Sequence, residues 1–171
     1  EPTIVYNVNV VEQNHNFFAN EFLVHNRRCF VSGTKVTMAD NTTKNIEEIE
    51  VGDKVLSLNE ETLELETKEV YEIDTPIHSD LVTYELEDGT KITSTTDHPY
   101  YTHDLELVSF NPDLTNEEYE LHKEVSEIRV GDVLRKGEYG SEIVDITLRD
   151  EETQTFIIGV EDNHNFFANG I

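Results

Sequence analysis

Residues 160–169 read VEDNHNFFAN, and residues 11–20 read VEQNHNFFAN; nine of the ten positions are identical, at an offset of 149. A match of that length does not arise by chance in a chain of 171 residues, so the copy is a true internal repeat. The first copy continues as Glu21-Phe22-Leu23-Val24-His25-Asn26, the second as Gly170-Ile171. The expected organisation is therefore a segment 1–28, the tail of an upstream or permuted unit plus an Arg27-Arg28 junction, followed by a domain 29–171. That domain lacks its own terminal His-Asn.

A weaker repeat lies inside the second unit. Ile46–Leu56 reads IEEIEVGDKVL and Val125–Leu134 reads VSEIRVGDVL, with Gly52 and Gly131 in matching places. A V-G-D core suits a turn that leads into a strand, glycine supplying the backbone freedom. Two related halves follow.

The local patterns are mostly β. Val82, Tyr84 and Leu86 alternate with polar residues, Asp88-Gly89 signals a type I′ turn, and Lys91–Thr95 returns. Val36 and Met38 alternate in an earlier strand. Ile143–Leu148 and Thr155–Val160 are expected to pair as a hairpin around the acidic loop Arg149–Thr153. Leu114, Glu118, Leu121 and Val125 fall near 3.6 spacing, which predicts one helix over Leu114–Val125 with Thr115 as its cap. The fold class is all-β with one short helix.

Composition limits the function. Lys plus Arg is 12, Asp plus Glu is 37, and the net charge is −25. Nucleic acid and anionic membranes both require a basic surface, so neither is an expected partner. No apolar run approaches the ~20 residues of a membrane span, and no signal peptide opens the sequence. Seven Tyr and eight Phe, with many Val, Ile and Leu, suffice for one core. The acids are interleaved with apolar residues, as in a folded chain with a solubilising surface. No D-x-D-x-D-G loop suggests calcium, and the single cysteine, Cys29, excludes a disulfide framework or a multi-thiolate zinc site. No cofactor and no metal are expected, and the default address is cytoplasmic.

Chemistry concentrates in three places. Cys29-Phe30-Val31-Ser32-Gly33-Thr34 opens the second unit, Thr95-Thr96-Asp97-His98-Pro99 follows the Asp-Gly hairpin, and N-H-N-F-F-A-N closes it. In its complete copy the closing motif adds Leu23-Val24-His25-Asn26. Taken alone, Thr95 and His98 read as an ordinary turn, and His15 and His164 as packed histidines among aromatics. His78, His103 and His122 match no motif and are read as surface residues. Phe17, Phe18, Phe166 and Phe167 are read as core anchors.

In this order and spacing, the C-F-x-x-G-T, T-x-x-H-P and N-H-N-F-F-A-N-x-x-L-V-H-N pieces resemble the Hint superfamily of inteins and bacterial intein-like domains. The resemblance covers Cys29–Ile171 plus the detached tail. It implies a horseshoe-shaped β fold with pseudo-two-fold halves, acting on its own flanking polypeptide. By position, Cys29 would attack the carbonyl of Arg28 in an N-to-S acyl shift. A free thiol is only about 3% thiolate at neutral pH, so it needs help. His98 would protonate the departing amide nitrogen and Thr95 would hold the scissile peptide. Asn26 would cyclise and cut the bond to Arg27, aided by His25 and by His15 or its twin His164.

Arg27 follows Asn26 where splicing requires Cys, Ser or Thr, so cleavage is expected over splicing. Asn7 stands after Tyr6 where the family often has Asp. Residues 11–26 and 160–171 compete for one slot beside Cys29, and the N-terminal copy is expected to dock. The tether from Asn26 to Cys29 spans at most roughly 10–11 Å, long enough for closure within one chain; a tail-exchanged homodimer is the alternative. Two rivals are a Cys-His hydrolase acting in trans, with Cys29, His98 and Asn26, and a non-catalytic acidic β module.

Overall fold

The computed structural model describes residues 29–117, 121 and 123–171, and the backbone of 17–19, 22–24 and 118. Strands β1 (Phe17–Ala19) and β2 (Phe22–Val24) pair with each other. Then come β3 (Phe30–Val31), β4 (Lys35–Thr37), β5 (Thr43–Asn45), a 3-10 turn (Ile46–Glu48), β6 (Lys54–Leu58) and β7 (Leu65–Asp74). After them run β8 (Ile77–His78), β9 (Leu81–Leu86), β10 (Lys91–Thr95), β11 (Tyr100–Tyr101) and β12 (Leu107–Ser109). The helix α1 (Pro112–Glu118) precedes β13 (Val125–Glu127), β14 (Val133–Lys136), β15 (Tyr139–Arg149) and β16 (Thr153–Val160). The fold is all-β with one short helix.

One sheet dominates, in the order β14-β15-β9-β10-β3-β16-β7-β6, with β8 added alongside β16. The two V-G-D turns sit at its opposite ends and match bond for bond. Gly52 and Gly131 hold φ of 95° and 97°, a region only glycine enters without strain. The Asp53 and Asp132 carboxylates accept from the amides of Glu50 (2.8 Å) and Arg129 (2.7 Å). Gly52 donates to the Val70 carbonyl at 2.8 Å and Gly131 to that of Ile143 at 2.9 Å. These matching turns are the two related halves that the repeat implied.

The two halves exchange arms. β7 pairs not with β9, its next long neighbour in sequence, but with β16; β15 pairs with β9. Both pairings contain a bulge, at Ile143/Asp145 and at Gly159/Val160, which sharpens the local twist. The hairpin expected between Ile143–Leu148 and Thr155–Val160 therefore does not form. Alternation identifies a strand but is silent on its partner; here Ile146 lies opposite Tyr84, and Ile158 opposite Ile73.

Two further expectations are corrected. The hairpin at Asp88-Gly89 forms, but over a three-residue turn: Leu86 donates to the Thr90 carbonyl, Gly89 donates to that of Leu86, and Gly89 alone of the pair has positive φ, 82°. A type I′ turn needs positive φ at both central residues. The described helix covers Pro112–Glu118, and Val125 lies in a strand rather than in it. Asn116 reaches back with its side-chain amide to accept from the Val125 amide and donate to the Val125 carbonyl, both at 3.0 Å, and Val125 joins β13, parallel to β12. Asn111, not Thr115, caps the helix, its Oδ1 accepting from the Leu114 amide at 3.3 Å ahead of a first-turn Pro112.

The core forms one cluster. Val36, Val55, Val70, Val82, Tyr84, Leu86, Ile92, Leu134, Ile143 and Val160 are buried in it, and Phe30 and Tyr100 carry it to the site. No described helix is long and apolar enough to cross a membrane.

Candidate functional site

Cys29 immediately precedes β3, which lies mid-sheet between β10 and β16. The register of Ser94 opposite Phe30 brings Thr95 to the backbone of Cys29, and the Thr95 amide donates to the Cys29 carbonyl at 3.1 Å. β10 then breaks into a tight turn, closed by His98 donating from its amide to the Thr95 carbonyl at 3.2 Å. That turn carries His98 back over Phe30, with ring centroids 4.3 Å apart, and beside Tyr100 at 4.9 Å. Cys29 and Thr95 are fully buried and His98 nearly so. Thr95 and His98, 66 and 69 positions after Cys29, thus meet it in one buried corner.

The turn is anchored from behind. Thr115 Oγ1 lies 2.9 Å from the Asp97 carbonyl and 2.7 Å from Ser109 Oγ. The Thr96 amide donates to the Asp80 carbonyl and the Asn111 amide to the Thr96 carbonyl, each at 2.9 Å.

His78 is a correction. Read as a surface residue, it turns inward: its side chain is 10% exposed, with Nε2 3.5 Å from Cys29 Sγ and Nδ1 3.3 Å from Asp80 Oδ1. The trace of it in the sequence is the His78-Ser79-Asp80 spacing, which offers an imidazole its own carboxylate. What hid it is that β8 reaches the thiol only by pairing with β16, Thr153 opposite His78.

Burial pushes the Cys29 thiol up from an ordinary 9.0 to about 12; a hydrogen bond with the Thr155 side chain pulls the other way, and the negative charges of Asp97, Asp80 and Asp74 push it higher still. With a pKa of about 12, on the order of one thiol in 10⁵ is ionised at pH 7. The corner stores a thiol, not a thiolate.

The closing motif is a set of staples. Phe167 and Ala168 are buried, and Phe166 packs edge-on against Phe30 at 5.7 Å. Asn165 accepts from the Leu58 amide (2.8 Å) and Ser57 hydroxyl (2.9 Å) and donates to the Leu58 carbonyl (2.9 Å). Asn169 accepts from the Lys35 amide and donates to the Lys91 carbonyl, both at 2.7 Å. Reading the motif for its histidine missed these amides. His164 itself is exposed, at a φ of 52°, beyond the far end of β16 from Thr155. Five residues of strand, about 17 Å at ~3.3 Å each, separate Thr155 from Val160. His103 is exposed. His15, His25, Asn26 and His122, with the Arg27-Arg28 junction, lie outside the described residues, as do the side chains of Phe17 and Phe18. The copy seen docked on β4, through an Ala168–Val36 bridge, is 160–171; the expected docking of residues 11–26 rests on residues outside those described.

This architecture is similar to that of a bacterial intein-like domain from Clostridium thermocellum, 26% identical, with a TM-score of 0.67 over 82% of this chain and 91% of that one. It is also similar to the gp41-1 intein, 25% identical, with a TM-score of 0.62 over 84% of this chain and 95% of that one. The chain is a Hint-superfamily domain. A DnaB intein from Synechocystis shares the fold at 19% identity, with a TM-score of 0.64 over 84% of this Hint domain and 95% of the intein.

The family model of the Ataxin-1 and HBP1 module (AXH) matches residues 30–137, and by that match the chain belongs to that family as well. The matched span starts after Cys29 and stops before β15, so it omits Cys29, β16 and the asparagine staples of this Hint domain. A curated relative, the catalytic subunit of the V-type proton ATPase of Candida tropicalis, is 47% identical over 47 residues, which is 28% of this chain and 4% of that protein. The chain thus spans a small part of that relative's length.

Proposed function

We propose that this Hint domain processes its own polypeptide, and that Cys29 opens the reaction at the bond from Arg28. The observation that carries this reading is the convergence of Cys29, Thr95 and His98 in one buried corner, with the Cys29 backbone held by the Thr95 amide. In the proposed step Sγ attacks the Arg28 carbonyl carbon and gives up its proton, the C–N bond to Cys29 breaks, and the freed nitrogen takes a proton from His98. A thioester replaces an amide with no net change in protons. Complete burial of the thiol favours a substrate already attached over one arriving in trans, which sets the hydrolase reading behind this one.

On the same reading, residues 1–28 are the departing tail and 29–171 the working domain. Asn26, helped by His25 and by His15 or His164, cyclises and cuts before Arg27, and cleavage prevails because Arg27 cannot accept an acyl group.

Intact-mass spectrometry of the chain, before and after incubation with dithiothreitol, tests this. Thiol-dependent loss of residues 1–28, abolished in C29A and slowed about 10²-fold or more in H98A, is expected. A mass that remains that of 171 residues for days overturns the reading and leaves a structural module.

A further inference from the structure

The thiol that must react is buried among carboxylates and scarcely ionises unaided. Among the described residues, Asp74, at the end of β7, Asp80, before β9, and Asp97, after β10, are the charged groups that act on this thiol, while β16 faces it with the uncharged Thr153 and Thr155. None of these can assist as a cation would. His78 can assist as a base.

Its tautomer follows from its partners. An ionised carboxylate only accepts hydrogen bonds, so the Nδ1 that faces Asp80 Oδ1 at 3.3 Å carries the ring proton. Neutral imidazole then turns the Nε2 lone pair towards Cys29 Sγ, 3.5 Å away. Pairing of β8 with β16 fixes the backbone of His78, and the Thr96 amide fixes that of Asp80. Base and carboxylate are thereby tied to the turn that carries His98.

We infer that His78 is the general base for Cys29, its Nε2 taking the thiol proton as Sγ attacks the Arg28 carbonyl, and that Asp80 is the positioning residue that holds the ring. The inference rests on the proposed role of Cys29 and adds a division of labour: one histidine removes a proton at sulfur, the other delivers one at nitrogen. The C–S bond forms, the C–N bond breaks, and His78 is left as imidazolium beside Asp80 until the proton returns to solvent.

The test uses the full chain, dithiothreitol and intact mass, comparing the unsubstituted protein with H78Q and D80N from pH 6 to 9. Gln is close to His in size and keeps a hydrogen-bonding group there, but cannot take the proton. H78Q is expected to lower the rate of thiol-dependent release of residues 1–28 by about 10²-fold or more. The deficit should shrink as pH rises, because hydroxide can then take the thiol proton in place of His78. D80N should cost about tenfold, as expected for a group acting through another.

An H78Q rate within twofold of the unsubstituted chain, with a parallel pH profile, overturns the inference and leaves the Cys29 reading standing. An unsubstituted chain that never cuts overturns both. Imidazole ¹⁵N shifts of the unsubstituted protein decide the matter even if H78Q fails to fold: an unprotonated Nε2 supports the role, and a protonated one overturns it.

Discussion

Asn165 does for Leu58 what a neighbouring strand would do, offering an acceptor and a donor to one residue's backbone and a further acceptor to Ser57. Replacing it with Ala strips three hydrogen bonds from partly buried groups, and the expected cost is about 2–3 kcal/mol in urea unfolding; a change under about 0.5 kcal/mol would mean water substitutes freely. Cys29 makes a second prediction. Its thiol sits near 9.0 unfolded and about 12 folded, so the native state holds the proton more tightly. The stability this confers is complete below pH 9.0 and is lost as pH rises through about 12. C29S should therefore lose less stability than the parent between pH 8 and 11, by up to about 2.5 kcal/mol. At this scale the sequence showed which residue types recur but not where each side chain points. His164 and Asn165 are adjacent in one motif, yet the first faces solvent and the second closes a strand. His78 carried no motif, and its contact with Cys29 depends on a strand pairing that no local pattern encodes.

Among the elements, α1 matters for what it holds rather than for its length. Thr115 stands inside it, fully buried, and bridges the Asp97 carbonyl to Ser109. T115V keeps the shape and removes the bridge, so unfolding stability should fall by about 1–3 kcal/mol. Thiol-dependent release of residues 1–28 should slow with it, because the His98 turn loses its rear support, and T115S should restore both. Full activity in T115V would show that the turn holds itself. The apolar spacing through Leu114 marked the start of this helix within two residues, but the same spacing overran its end, where Asn116 captures Val125 for a strand. Hairpins were readable where a turn residue joins the arms, as at Gly89. Between β15 and β16 the acidic loop looks like such a turn and is instead a crossover between halves.

For the molecule as a whole, a charge of −25 sets the electrostatic terms. Thirty-seven acids against 12 bases leave most carboxylates without a cation, and their mutual repulsion opposes the folded state. Thermal melts from 0.02 to 0.5 M NaCl should show the midpoint rising by several degrees as the screening length contracts; a flat curve would mean that the acids are spaced too widely to repel. The V-G-D repeat announced two halves correctly, and the composition announced the charge. Neither announced that the halves lend each other a strand. That exchange has a consequence during synthesis. β3, which leads directly from Cys29, is enclosed by β16, a strand made more than 120 residues after it, and at ~5–20 residues per second β7 waits several seconds for the same partner. On the proposed reading, a nascent chain carries its blade unassembled until β16 has been made.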